Sequence, residues 1–143
     1  MSNPKFKISA YVPGQEKMID EQECRMYVLV NRPILTLVQS GVQAAHAIAE
    51  YSAAYPNCEK YKIWANKYKT LIFLQATERD IETVASGLDM NGKKYAKFYE
   101  PDMYDESATT DIFKERGKLT AIAIEPLHPI EGKLLFGKYE LLK

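Results

Sequence analysis

Two rhythms of apolar and polar residues divide this chain. Short apolar runs, rich in β-branched and aromatic residues, fall at 26–30 (MYVLV), 70–76 (TLIFLQA), 93–100 (KKYAKFYE) and 118–126 (KLTAIAIEP). Each predicts a strand, buried for most of its length. Segments with helical spacing lie between them. Thr36-Leu-Val-Gln39 and Ser40-Gly-Val-Gln43 are both hydroxyl-x-x-Gln capping boxes. A helix therefore begins at one or the other and runs to about Ala54, before Pro56. A short helix or loop is expected over 61–68. Thr77 and Asp80 cap a further helix, ERDIETVASGLDM, which stops at Asn91-Gly92. The apolar tail, GKLLFGKYELLK, predicts one more edge strand. Strands alternating with helices predict an α/β fold. Strands apolar on both faces predict three layers, α/β/α, around a mixed, mostly parallel sheet of about four strands.

The first 24 residues read differently. KFKISAYV alternates weakly, Pro13-Gly14 marks a turn, and QEKMIDEQE is polar. An N-terminal arm over 1–24 and one domain over 25–143 are expected. With 143 residues, 46% of them hydrophobic and 27% charged, the chain can bury a core. The opening residues hold no apolar run suited to a signal peptide, and no segment reaches the length of a membrane span. Cys24 and Cys58 fit neither a disulfide framework nor a metal-site spacing. A cytoplasmic protein without metal or cofactor is expected. Net charge is zero, which argues against strong non-specific nucleic-acid binding. The charge is nevertheless uneven: residues 25–76 carry six basic and two acidic groups.

That basic middle holds the least ordinary segment, SGVQAAHAIAEYSAAY. Six alanines stand where leucines are common, and they suit close packing of the helix on a sheet. Gln43, His46, Ala47 and Glu50 fall on one stripe, because positions three and four apart share a helix face. Gln43 is also readable as half of a capping box, and His46 as a hydrogen-bonded histidine at the sheet boundary. Asp102, in the YEPD that closes the third apolar run, is either their partner or a turn-capping residue. Ligands of α/β sheets gather beyond strand ends, so the loops after Val30 and after Tyr99 are the places to look.

In this order and spacing, MYVLVNR, GVQAAHA, TLIFLQ, FYEPD and LTAIAIEP resemble the type II peptidyl-tRNA hydrolase family, over roughly residues 25–143. The likeness implies roles residue by residue. Arg32 matches the arginine after the first strand. Gln43 and His46 match the helix pair, Asp102 the aspartate after the third strand, and Thr120 a threonine of the last strand. The sequence departs from the family at Gln39, which stands where a lysine is usual. It departs again over 103–118, a segment rich in acidic and hydroxyl residues that reads as a mobile lid or an inert insertion. A homodimer is implied by the resemblance alone.

The implied substrate is an ester between a peptide, or an aminoacyl group, and the terminal ribose of tRNA. Hydrolysis needs an aimed water, donors for the oxyanion and a proton for the departing oxygen. Gln43 offers an amide donor, His46 a group that can exchange a proton near neutral pH, and Asp102 a carboxylate to orient His46 or polarise the water. The first-turn amides of a helix beginning at Ser40 would attract an anion. Arg32, Gln39, Ser40 and Thr120 would line the substrate site. Lys62 and Lys67, with Lys60 and Lys69, would follow the tRNA backbone, and Trp64 would stack on the terminal base. A catalytically weakened module binding tRNA or protein, and a different small-molecule enzyme on the same scaffold, are the alternatives.

Overall fold

The computed structural model describes residues 20–143. The weakly alternating KFKISAYV and the Pro13-Gly14 turn lie outside the described residues. Four strands form: β1 (Arg25–Asn31), β2 (Thr70–Ala76), β3 (Tyr95–Glu100) and β4 (Lys118–Ile124). A 3-10 turn (Arg32–Ile34) leads from β1 into α1 (Leu37–Ala54). The short α2 (Glu59–Ile63) runs on into a π-helical turn (Trp64–Tyr68), and α3 (Glu78–Met90) follows β2. After β3 come α4 (Asp111–Arg116) and, beyond β4, α5 (Pro129–Phe136). No helix of the described residues is long and apolar enough to cross a membrane.

The sheet order is β2-β1-β4-β3, and it is mixed. Only β1 and β2 are parallel, while β4 runs antiparallel to both β1 and β3. The expectation of a mostly parallel sheet is therefore corrected. A strand covered on both faces looks equally apolar in either direction, so burial pattern alone does not report direction. Here β3 and β4 pair directly without a crossover helix, and β4 inserts between β3 and β1.

Successive β1 side chains feed two clusters. Tyr27 and Leu29 join Ile81, Ala85 and Leu88 of α3 and Phe136 of α5. Met26, Val28 and Val30 join Ala44, Ala47 and Tyr51 of α1. Of the six alanines of α1, only Ala44 and Ala47 are buried. They meet Ala121 and Ala123 of β4 in the same cluster. Small residues on both sides let the helix axis approach that strand closely. Thr36 is the N-cap of α1, and Gln39 completes the capping box. The box at Ser40 does not form: Ser40 is buried, and its hydroxyl donates to the Thr36 carbonyl at 2.9 Å.

The tail differs from the expected edge strand. Pro129 at the first turn and the His128 ring, which accepts from Ile130 N–H, start α5. Only the last residues run beside β2, where Gln75 N–H donates to the Glu140 carbonyl and Leu142 N–H to the Phe73 carbonyl, both at 2.9 Å. Gly132 in the middle of PIEGKLLF hides the helical pattern. It is needed there, because a Cβ would lie 2.2 Å from the Tyr27 ring.

Residues 103–118 form a closed excursion between β3 and β4. Lys118 N–H donates to the Met103 carbonyl at 2.8 Å, and Asp105 N–H to the Lys114 carbonyl at 3.0 Å. Arg116 spreads over the rings of Tyr99 and Phe113, its guanidinium carbon 3.6 and 4.6 Å from their centroids. Gly117 closes the excursion at φ 93° and ψ −180°, a region reserved for glycine. A Cβ there would sit 1.7 Å from the Glu100 carbonyl oxygen.

Two predictions concern this excursion. Gly117→Ala should cost about 3 kcal/mol or more, from backbone strain plus overlap with Glu100, read as a lower midpoint in urea unfolding. The second involves Asp105. The Ser107 hydroxyl, donating at 2.6 Å, is the main cause holding this carboxyl below its ordinary range, and Lys118 at 3.7 Å adds to it. A lowered carboxyl pKa stabilises the fold above the ordinary carboxylate range, and that contribution is lost as pH falls through the folded value. Amide exchange, corrected for intrinsic rates, should show Asp105 and Lys118 losing protection in acid before Val28 does.

Candidate functional site

The centre of the site is a break in the β3–β4 ladder. Phe98 pairs with Ala121 but Tyr99 with Leu119, so Thr120 is an extra residue in β4. A bulge of this kind turns a side chain to a new direction. Thr120 and Ala121 consequently both face α1. The Leu119 carbonyl beside the bulge accepts from the buried Asn31 side-chain amide at 3.0 Å. The end of β1 thus supplies a hydrogen bond at the point where the ladder is interrupted.

Thr120 is fully buried, and its hydroxyl lies 2.6 Å from Gln43 Oε1 and 3.3 Å from the Phe98 carbonyl. A hydroxyl has one hydrogen, and the shorter contact takes it. Gln43 is 5% exposed, two turns inside α1, so it has no capping role. Its Nε2 donates to Glu100 Oε1 at 3.1 Å. The pair of contacts fixes the amide orientation: turned over, Oε1 would face the carboxylate. One Nε2 hydrogen and one carboxylate oxygen of Glu100 remain beyond these bonds.

His46 lies one turn further along α1 and is exposed. Its ring stacks on Phe98, with centroids 4.6 Å apart and planes 15° from parallel. Among the described residues its side chain makes no hydrogen bond, so the hydrogen-bonded histidine expected at the sheet boundary is not what forms. Asp102 is exposed in the turn after β3 and makes no side-chain hydrogen bond or ion pair among the described residues. The carboxylate joined to Gln43 is that of Glu100. Strand alternation carried a signal for it, since Phe98 and Glu100 are two apart and share a face.

The remaining residues separate into two places. Arg32 lies at the site's end of the sheet, but its Nε donates to the Lys143 carbonyl at 2.9 Å and another guanidinium nitrogen donates to the Leu35 carbonyl. It ties the tail to the turn after β1, and it lines an open groove with Pro33, Gln75 and Thr77. Gln39 is exposed, and its side chain accepts from Thr36 N–H at 2.8 Å while its own N–H donates to Thr36 Oγ1. The first-turn amides of α1 thus precede Gly41, about two turns before His46, and do not floor the Gln43 cluster.

Lys62, Trp64 and Lys67 belong to the opposite end. Tyr61 donates to Ser52, about 13 Å along α1 from Gln43. Trp64 is 7% exposed, packs in the α1-side core, and donates Nε1–H to the Thr70 carbonyl at 2.8 Å. Buried so, it offers no ring face to a base. Lys62 and Lys67 are exposed, and Lys60 pairs with Glu125 at 3.6 Å. Among the described residues no group of histidines, cysteines or carboxylates is arranged to hold a metal ion. No family model matches the chain, and no curated protein matches it closely enough to carry an argument.

Thr120→Val keeps the side-chain shape but leaves Gln43 Oε1 buried without a donor. It should cost about 1–3 kcal/mol in chemical unfolding. Adding Gln43→Leu should recover most of that loss, because both buried polar partners then leave together.

Proposed function

We propose that this chain is an esterase like the type II peptidyl-tRNA hydrolases, cleaving the ester between a peptide, or an aminoacyl group, and tRNA. The observation that carries the reading is the Thr120–Gln43–Glu100 hydrogen-bonded chain at the end of the sheet, one helical turn from the exposed His46. Glu100 and Gln43 of that chain, with His46 beside it, offer the three groups that the reaction needs. The free oxygen of Glu100 takes a proton from water as the water oxygen attacks the ester carbonyl. The second N–H of Gln43 donates to the oxyanion that develops. The bond to the ribose oxygen then breaks as that oxygen takes a proton from His46, and the proton that Glu100 took from water passes to His46 through solvent, which restores both groups. The products are a carboxylate and a ribose hydroxyl. Asp102 stands two residues beyond Glu100, at the mouth, as a second carboxylate for positioning water.

The scaffold is a three-layer α/β/α sandwich in the cytoplasm, working as a homodimer. The exposed lysines near Lys62 and Lys67 follow the tRNA backbone. The stacked pair His46–Phe98 replaces Trp64 as the platform for the terminal base, because stacking on an imidazole leaves its outer face accessible.

A second reading is a module that binds tRNA without cleaving it. Two observations favour it: among the described residues His46 has no hydrogen-bonding partner to orient it, and Gln39, at the family's lysine position, is committed to the cap of α1.

Release of the acyl group from N-acetylaminoacyl-tRNA decides between them. Under the esterase reading the wild-type protein releases it, and Glu100→Gln or His46→Ala slows kcat/KM by about 100-fold. Gln39→Lys raises the rate while costing a few tenths of a kcal/mol of helix stability. Salt-sensitive tRNA binding without release supports the binding module. Neither release nor salt-sensitive binding removes both readings.

A further inference from the structure

A groove of about 630 Å³ lies on the sheet face opposite α1, between β1, β2, α5 and the tail. That volume falls inside the ~300–1,000 Å³ range of small-molecule sites. Tyr27, Ile72, Leu74, Phe136 and Leu141 make most of its lining apolar. Two cations stand in it, Arg25 and Lys133. Lys133 makes no side-chain hydrogen bond or ion pair among the described residues. Arg25 has a carboxylate only at 3.9 Å, from Glu23. Its Nε is the one buried side-chain nitrogen or oxygen of the described residues that lacks a hydrogen-bond partner. A buried donor left open is uncommon in a folded protein and calls for a ligand or a cause.

The groove is also held open by construction. Gly132 brings α5 against the Tyr27 ring, and Tyr27 in turn packs on Phe136 with centroids 5.4 Å apart. The floor is thus a rigid pair of rings. The rim is completed by the tail segment whose amides bond to β2.

We propose that this groove binds a small monocarboxylate with an apolar chain, its carboxylate on Arg25 and Lys133 and its chain along the ring floor. The charge count selects the ligand. Arg25 and Lys133 set against Glu23 leave one net positive charge, which one carboxylate balances. The planar fork of a guanidinium fits a carboxylate, and the lining beyond the two cations is mostly apolar, which suits a hydrocarbon chain. This site is independent of the Gln43 cluster, which lies on the other face of the sheet.

The test is an NMR titration of the 15N-labelled full chain with hexanoate, and with hexanamide as its neutral match. Hexanoate should shift the amides of Gly132, Tyr139 and Leu141 at millimolar concentration and leave Gln43 unmoved. Hexanamide and the Arg25→Gln variant should each show affinity about tenfold weaker, the loss of one charge-assisted pair. If Arg25→Gln fails to fold, Lys133→Gln and Leu141→Asp at exposed positions replace it, and each should weaken hexanoate several-fold. No shift with hexanoate, equal affinity for the amide, or shifts unchanged in the variants would each overturn the proposal. Broadening that depends on protein concentration and is confined to Gly132, Tyr139 and Leu141 would mean that a second copy fills the groove, and would overturn it too.

Discussion

The hydrogen bond from Thr120 to Gln43 organises everything polar in the middle of this protein. It is short, it is buried, and it joins a strand to a helix that otherwise meet through alanines. In so apolar a setting an unpaired amide would be costly, so each member of the chain obliges the next. The Thr120 hydroxyl determines which end of the Gln43 amide it meets. The amide's other end then needs an acceptor, and Glu100 provides it. That requirement holds the end of β3 against α1, and Gly117 lets the returning chain cross behind Glu100.

The composition of α1 follows from the same constraint. Bulky residues at 44 and 47 would lift the helix from β4 and break the contact between Gln43 and Thr120. Alanine at Ala121 and Ala123 does the corresponding work from the strand. The solvent-side alanines Ala45, Ala49, Ala53 and Ala54 have no such reason in packing. Good helix propensity is the physical account they have, and it suffices for exposed positions. The two faces of the sheet are therefore built unlike each other: small residues and a polar centre toward α1, larger apolar residues and an open groove toward α3 and α5.

Much of this was legible in the sequence, and each unread part has its own physical cause. All four strands announce themselves through β-branched and aromatic runs, and Thr36 and Thr77 announce their helices through capping boxes. Gln43 stood out as a candidate because glutamine is out of place among alanines. Strand direction was not legible, because burial on both faces hides it. The tail helix was not, because Gly132 interrupts its apolar stripe for the sake of Tyr27. The bond of Gln43 to Glu100 was not legible, because the turn chemistry around Pro101 marks Asp102 while the last pleat of the strand carries no local signal. A tryptophan in such a segment is more often core than a base platform, and the sequence admits both. The burial of Trp64 and its bond to the Thr70 carbonyl separate the two, and that partner lies across a π-helical turn that no periodicity foretells.

The bulge has a bearing on how such a centre could arise. With Thr120 removed, Ala121 would follow Leu119 directly, and the existing pairs of Phe98 with Ala121, Tyr99 with Leu119 and Glu100 with Lys118 would form an unbroken ladder. No other residue of the sheet would change sides. The strand pairing is thus compatible with a chain one residue shorter, but Gln43 Oε1 would then lie buried without its donor, so the inserted threonine and the glutamine stand or fall together.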